Sequence, residues 1–255
     1  MVGSCFFGEI RSVSGHSKWN NIKRKKEKAD GARAKIFTKV GRELTVAVRE
    51  GGSANPENNS KLRDCILKAK ANNVPNENIE RIIKKAARDG EGVNYEYITY
   101  EGYGPGGVAL IVKCLTDNRN RTAGNVRHYF DKCSGNLGTS GCVSYLFKEV
   151  GLISVGKNSS INEDSLTMDA IESGADDVIE CEECFDVISS VDCYSSVKSA
   201  LENKGYIISR SELSLLPNSY TFIDENQLLK LEKLLDLLED DDDVQDVYNN
   251  CENFK

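Results

Sequence analysis

Four groupings in the sequence carry side chains able to bind a metal, hold a phosphate or catalyse a reaction. Cys181-Glu182-Glu183-Cys184 has the two-residue gap of a metal knuckle. A structural zinc site takes four donors, so Cys193 or Cys142 would have to be recruited. The pair is therefore read without a metal. Glu239-Asp240-Asp241-Asp242-Asp243 places five acids in a row. A two-metal nuclease needs carboxylates converging from separate elements. Adjacent carboxylates diverge, so this run is read as a solvated one. Glu101-Gly102-Tyr103-Gly104-Pro105-Gly106-Gly107 has the glycine content of a phosphate loop but lacks its Gly-Lys-Ser/Thr ending. It reads as a hairpin turn needing positive φ. The chain has two His, and no Ser or Cys is placed by local sequence as a nucleophile beside His128. The expectation is a protein without catalytic residues, metal or cofactor, and so not an enzyme.

Polyanion binding is the chemistry the sequence favours. Residues 16–90 hold 19 Lys and Arg against 9 Asp and Glu, whereas 91–255 hold 13 against 30. The formal charge of -7 hides this partition. Lys18, Lys23, Arg24, Lys25, Lys26, Lys28, Arg33, Lys35, Lys39 and Arg42 concentrate cations on one short stretch. Such density displaces counterions from a nucleic-acid backbone. Trp19 beside it is placed either to stack on an unpaired base or to pin the segment to a helical core. A second grouping, Asp117-Asn118-Arg119-Asn120-Arg121-Thr122, opens a helix, with Asn120 or Thr122 as the cap. Two Arg at a helix start oppose the macrodipole. Either an internal carboxylate or a bound anion must answer Arg119 and Arg121. Arg127 and His128 follow one to two turns later. All these residues, with Trp19, are the candidate contacts to DNA or structured RNA.

The elements that must position them change period along the chain. From Ala29 to Val48 the apolar residues Ala32, Ile36, Val40, Leu44 and Ala47 recur at helical spacing. Leu62, Cys65, Ile66 and Ala69 give a second stripe, and Ile79, Ile82, Ile83 and Ala86 a third. Beyond Tyr95 the pattern turns to strands: Tyr95–Glu101, Val108–Leu115, Val143–Phe147, Leu152–Val155, Val178–Cys181, Phe185–Ser189, a pair near Ile207–Leu216, and Val244–Tyr248. Helices are expected over Thr122–Lys132, Glu163–Ser173, Tyr194–Asn203 and Asp224–Glu239. The fold class is α+β, with helices on one face of antiparallel sheets. Hydrophobic content of 39% and charged content of 29% suit a globular chain, and no long apolar run suggests a membrane span. Nine cysteines, an odd count with no secretion signal, place it in a reducing cytoplasm. Residues 1–15 read as a disordered leader.

Several longer stretches resemble the YebC family. They are Gly15-His16-Ser17-Lys18-Trp19, Ala34-Lys35-Ile36-Phe37-Thr38-Lys39, Tyr100 to Gly107, Asp117 to Thr122, Val126-Arg127-His128, Gly135-Asn136-Leu137-Gly138 and Glu239 to Tyr248. The resemblance runs from about residue 14 to about 250 and does not include the Cys181/Cys184 pair. It implies an N-terminal three-helix domain at 16–91 and two α/β sandwich domains. The second spans 92–134 and 211–255, and the third, 135–210, is inserted into it. It also implies a probable DNA-binding transcriptional regulator in the cytoplasm. Family relatives include a mitochondrial translational activator of cytochrome c oxidase subunit I, so a ribosome-associated factor binding ribosomal or transfer RNA is the alternative. The resemblance brings no agreed catalytic residues, and neither a membrane nor a small-molecule substrate is expected.

Overall fold

The computed structural model describes residues 29–88, 94–157, 162–181 and 184–254, with only the backbone for 29–34. The expected leader and the cations Lys18, Lys23, Arg24, Lys25, Lys26 and Lys28, with Trp19, lie outside the described residues. Among the described residues there are seven α-helices and eight strands.

Three helices form the first layer: α1 (Ala29–Glu50), α2 (Ser60–Ala71) and α3 (Asn76–Arg88). Their three sequence stripes meet in one core of Val40, Leu44, Ala47, Leu62, Ala69, Ile79 and Ala86, with Ile82 and Ile83 at its margin. Each buried Leu or Ile contributes about 1.5–3 kcal/mol, which holds helices too short to persist alone. Asn59 fixes the turn before α2. Its side-chain oxygen accepts from Leu62 N–H at 3.0 Å while its amide donates to the Ala47 carbonyl at 2.8 Å.

Next come β1 (Glu96–Tyr103), β2 (Ala109–Thr116), α4 (Arg119–Lys132) and β3 (Asn136–Leu137). The β1–β2 turn has Gly106 at φ 68° and Gly107 at φ 78°, the hairpin conformation expected of this glycine run. The chain then leaves this sheet for β4 (Phe147–Gly156), α5 (Glu163–Glu172), β5 (Ala175–Glu180), β6 (Cys184–Ser189), α6 (Tyr194–Asn203) and β7 (Ile208–Pro217). It returns with α7 (Glu225–Asp240) and β8 (Val244–Asn249). The sheet orders are β3-β1-β2-β8 and β5-β6-β4-β7. Every strand pair within them is antiparallel. The second sheet is thus threaded between β3 and α7. The strand β7 runs unbroken through 208–217, so the return to the first sheet follows Pro217.

The first sheet packs Val108, Leu110, Val112 and Cys114 against Val126 and Phe130 of α4 and Leu231, Leu234 and Leu238 of α7. The second packs Ile153, Val155, Phe185 and Val187 against Leu166 of α5 and Val197 and Leu201 of α6. Ala109, Ile111 and Tyr248 on the first sheet meet Val143, Phe147 and Leu215 in a smaller core that joins the two units.

Three local expectations are corrected. Val143–Phe147 is not a strand: Ser144–Leu146 forms a single 3-10 turn, and β4 starts at Phe147 and continues to Gly156. The cause is Glu101, whose buried carboxylate accepts backbone N–H groups from Gly141 (2.8 Å), Val143 (3.0 Å) and Ser144 (2.9 Å). Backbone donors committed to that carboxylate cannot join a ladder. The pair of strands expected near Ile207–Leu216 is the single strand β7, paired along β4. The helix expected from Thr122 begins at Arg119, because Asn118 rather than Asn120 or Thr122 supplies the cap, accepting from Arg121 N–H at 3.1 Å.

Candidate nucleic-acid interface

The described candidate cations separate into two sets. One set, Lys35, Lys39, Arg42 and Arg121, turns inward onto the acidic run that closes α7. The Arg42 guanidinium lies 2.6 Å from Asp243 Oδ1 and 2.8 Å from the Asp242 carbonyl. Arg121 meets Asp243 Oδ2 at 2.7 Å and Asp117 at 2.7 Å. Lys39 donates to the Glu239 carbonyl at 2.7 Å, and Lys35 pairs with Asp240 at 3.2 Å. These contacts join the helical layer to the first sheet across some 200 residues of sequence.

Asp243 is the center of this clasp. Its side chain is 4% exposed. Thr122 donates to Oδ2 at 2.7 Å, and Thr116 lies 3.1 Å away. Burial pushes the Asp243 carboxyl up, but hydrogen bonds from Arg121, Thr122, Arg42 and Thr116 outweigh it and hold the group below the usual carboxylate range. The main chain is held as well, since Leu115 N–H donates to the Asp243 carbonyl at 2.7 Å. Asp241 is absorbed too, accepting from Asn125 and Tyr129 at 3.0 Å each. The expectation of a solvated acidic run therefore applies to Asp240 and Asp242, which are exposed, and not to Asp241 and Asp243. Arg121 takes the internal carboxylate partner that its place at a helix start calls for.

The second set faces outward. Arg119, Arg127 and His128 on α4 are exposed, and none makes an ion pair among the described residues. Arg33 lies in α1, its side chain outside the described residues. A further stripe was missed in the sequence. Arg81, Lys84, Lys85 and Arg88 stand exposed along α3 on the side away from Ile79, Ile83 and Ala86. Residues at these spacings share one helix face. Lys84 bridges to Glu80 at 3.2 Å, an exposed pair of little energetic weight. The signal lay in the third apolar stripe, because a face complementary to a buried one is the face offered to partners. Nearby, Lys68 is engaged inward with Glu43 at 2.7 Å.

Two family models cover this arrangement. The TACO1/YebC protein N-terminal domain matches residues 17–89, and the TACO1/YebC second and third domain matches 95–251. The chain belongs to the TACO1/YebC family. Among its relatives, a protein of Clostridium novyi named a probable transcriptional regulatory protein is 53% identical over 240 residues, covering 94% of this chain and 97% of the relative. A protein of the same description from Ruminiclostridium cellulolyticum is 55% identical over 229 residues, covering 89% and 92%. The crystal structure of a conserved hypothetical protein from Aquifex aeolicus superposes with a TM-score of 0.78 at 47% identity, covering 87% of this chain and 91% of that one. The TACO1/YebC architecture, a helical domain followed by two α/β domains, is the one described above. Among the described residues, no helix is long and apolar enough to cross a membrane.

Proposed function

We propose that this TACO1/YebC protein is a non-enzymatic regulator of gene expression that binds nucleic acid through its basic helical domain in the cytoplasm. The observation that carries the reading is the α3 stripe: Arg81, Lys84, Lys85 and Arg88 offer four cations on one exposed helix face. That geometry suits contact with successive phosphates. The cations of residues 18–28 extend the same basic module in sequence. The names of the relatives support a regulatory role, with DNA as the first target to test. Action by binding rather than turnover is supported at the acidic run, where Asp243 has its oxygens taken by Arg42, Arg121 and Thr122. None of the eight described cysteines is joined in a disulfide, which fits a reducing compartment.

One feature favours structured RNA as the second reading. The α3 stripe is built only of Arg and Lys, side chains suited to phosphates and, at base edges, limited to guanine. Phosphate contact with little base readout suits recognition of folded RNA by shape. Competition between duplex DNA and a structured RNA at physiological salt decides between them. Tighter binding to DNA with a clear sequence preference supports transcriptional control. Tighter binding to RNA supports action in translation. Loss of salt dependence on both would overturn nucleic-acid binding altogether.

A further inference from the structure

The face of the second sheet away from α5 and α6 holds a buried acid in an unusual setting. Asp186 is 4% exposed and lies on β6, between β5 and β4. Its strand neighbors on this face, Leu152 and Ile188, belong to a small apolar cluster with Ile179. The three other buried carboxylates among the described residues are more fully answered, Glu43 by Lys68 at 2.7 Å. Asp243 has two Arg, and Glu101 has three backbone N–H groups. Asp186 has Ser154 Oγ at 2.6 Å on Oδ1, Cys181 Sγ at 3.4 Å from Oδ2 and Cys184 Sγ at 3.7 Å from Oδ1. It makes no ion pair with a Lys or Arg among the described residues. A buried carboxylate without a cation is costly unless it is paired or coordinates a metal.

The backbone brings these groups together. Cys181 N–H donates to the Cys184 carbonyl at 2.8 Å, so the two cysteines face each other where the β5–β6 hairpin turns. Cys184 and Asp186 are two residues apart on β6 and share a face. Ser154 is the cross-strand partner of Asp186, and Gly156 that of Cys184. A Cβ placed on Gly156 would meet nothing within 4 Å. The strand position opposite Cys184 is therefore not filled by another side chain.

We infer that Cys181, Cys184 and Asp186 form a zinc site, with two thiolates and one carboxylate as ligands and the side at Gly156 left for a water. All three donor atoms lie within 4.8 Å of one another. Zinc–sulfur bonds of about 2.3 Å and zinc–oxygen bonds of about 2.0–2.2 Å, set at a tetrahedral angle, put sulfur and oxygen roughly 3.5 Å apart. The sulfur–oxygen separations are near that edge, 3.4 Å from Cys181 to Oδ2 and 3.7 Å from Cys184 to Oδ1, so each carboxylate oxygen faces one thiol. The sequence looked for the missing donors at Cys193 and Cys142, whereas the fold supplies an acid two residues past the second cysteine. Coordination is a proton exchange without redox change. Two S–H bonds break, their protons pass to solvent, and two zinc–sulfur bonds form. Ser154 orients the carboxylate, as outer-shell partners of metal ligands do.

The test uses the full chain, reduced, then incubated with zinc and freed of excess metal. We expect one zinc per chain and protection of Cys181 and Cys184 from alkylation, mapped by peptide mass. Cobalt in place of zinc gives the visible absorption of a tetrahedral thiolate site. Replacing Cys181 and Cys184 by Ser, or Asp186→Asn, removes the zinc. Ser154→Ala weakens it by about tenfold or more. Equal alkylation of both thiols with and without zinc in the wild-type chain overturns the site, whatever the variants do. Wild-type zinc content in the double Ser variant overturns it too. A Cys181–Cys184 disulfide that forms equally fast with zinc present would make the pair a redox dithiol instead.

Discussion

The α1 and α3 cations belong to the same small helical core and look alike in sequence, yet the fold uses them in opposite ways. Lys35, Lys39 and Arg42 of α1 are engaged by the acidic end of α7. Arg81, Lys84, Lys85 and Arg88 of α3 stand exposed. The difference is the neighbor each helix meets. An acidic run presented at the right height turns a phosphate-binding face into a domain clasp. Local charge density alone cannot tell the two fates apart, because a cation's role depends on which carboxylate the rest of the chain delivers.

Removing the carboxylate at the center of the clasp has the largest expected effect. Asp243→Ala leaves Arg42 and Arg121 facing each other without their shared acid. Breaking a fully buried pair costs about 3–5 kcal/mol, and with the Arg121 side chain 45% and the Arg42 side chain 18% exposed the loss should fall near the lower end. Urea denaturation should show that loss, and the stripe variant Lys84→Ala should stay within about 0.5 kcal/mol of wild type.

Glu101→Gln comes next. One carboxylate there holds three backbone donors, and weakening it should cost about 1–3 kcal/mol by the same measurement. Both acids also set a pH dependence. Burial pushes the Glu101 carboxyl up, but the N–H groups of Gly141, Val143 and Ser144 bring it below its ordinary value, as the Arg and Thr partners do for Asp243. A depressed folded value means the stabilization is complete above the unfolded range near about pH 4. It is lost as pH falls through the folded values. Wild type should therefore lose stability steeply below about pH 4, and each variant should show a shallower decline there.

The smallest effect sharpens the contrast from the other side. The Lys35–Asp240 pair is exposed, at 42% and 66% of its two side chains. Lys35→Ala should cost about 0–1 kcal/mol, and less in high salt. A loss near that of Asp243→Ala would mean the clasp is spread evenly along the run rather than centered on Asp243.

What the sequence revealed divides along the same line. The α1 stripe was legible because Val40, Leu44, Ala47 and Val48 repeat at helical spacing and are all buried. The Gly106-Gly107 turn was legible because positive φ selects glycine. The turn at Ser144–Leu146 was not, since the carboxylate that shapes it sits about 40 residues upstream. Val143 to Phe147 carries the local pattern of a strand and a distant reason not to be one. The same distance hid the partners of Lys39 and Arg42, which lie about 200 residues away. The zinc ligand set was half visible. The cysteine spacing stood out, but Asp186 gained its meaning only from burial beside Ser154.

If α3, and not the clasped face of α1, meets the phosphates, the salt dependence of nucleic-acid binding in two variants of the full chain shows it most directly. One variant carries Arg81→Glu, Lys84→Glu, Lys85→Glu and Arg88→Glu, and the other carries Lys35→Ala and Lys39→Ala. The α3 variant should bind more weakly, with a slope flatter by about 0.7–0.9 for each phosphate it no longer neutralises, while the α1 variant keeps the wild-type slope. An unchanged slope in the α3 variant, or a flattened one in the α1 variant, would contradict this assignment.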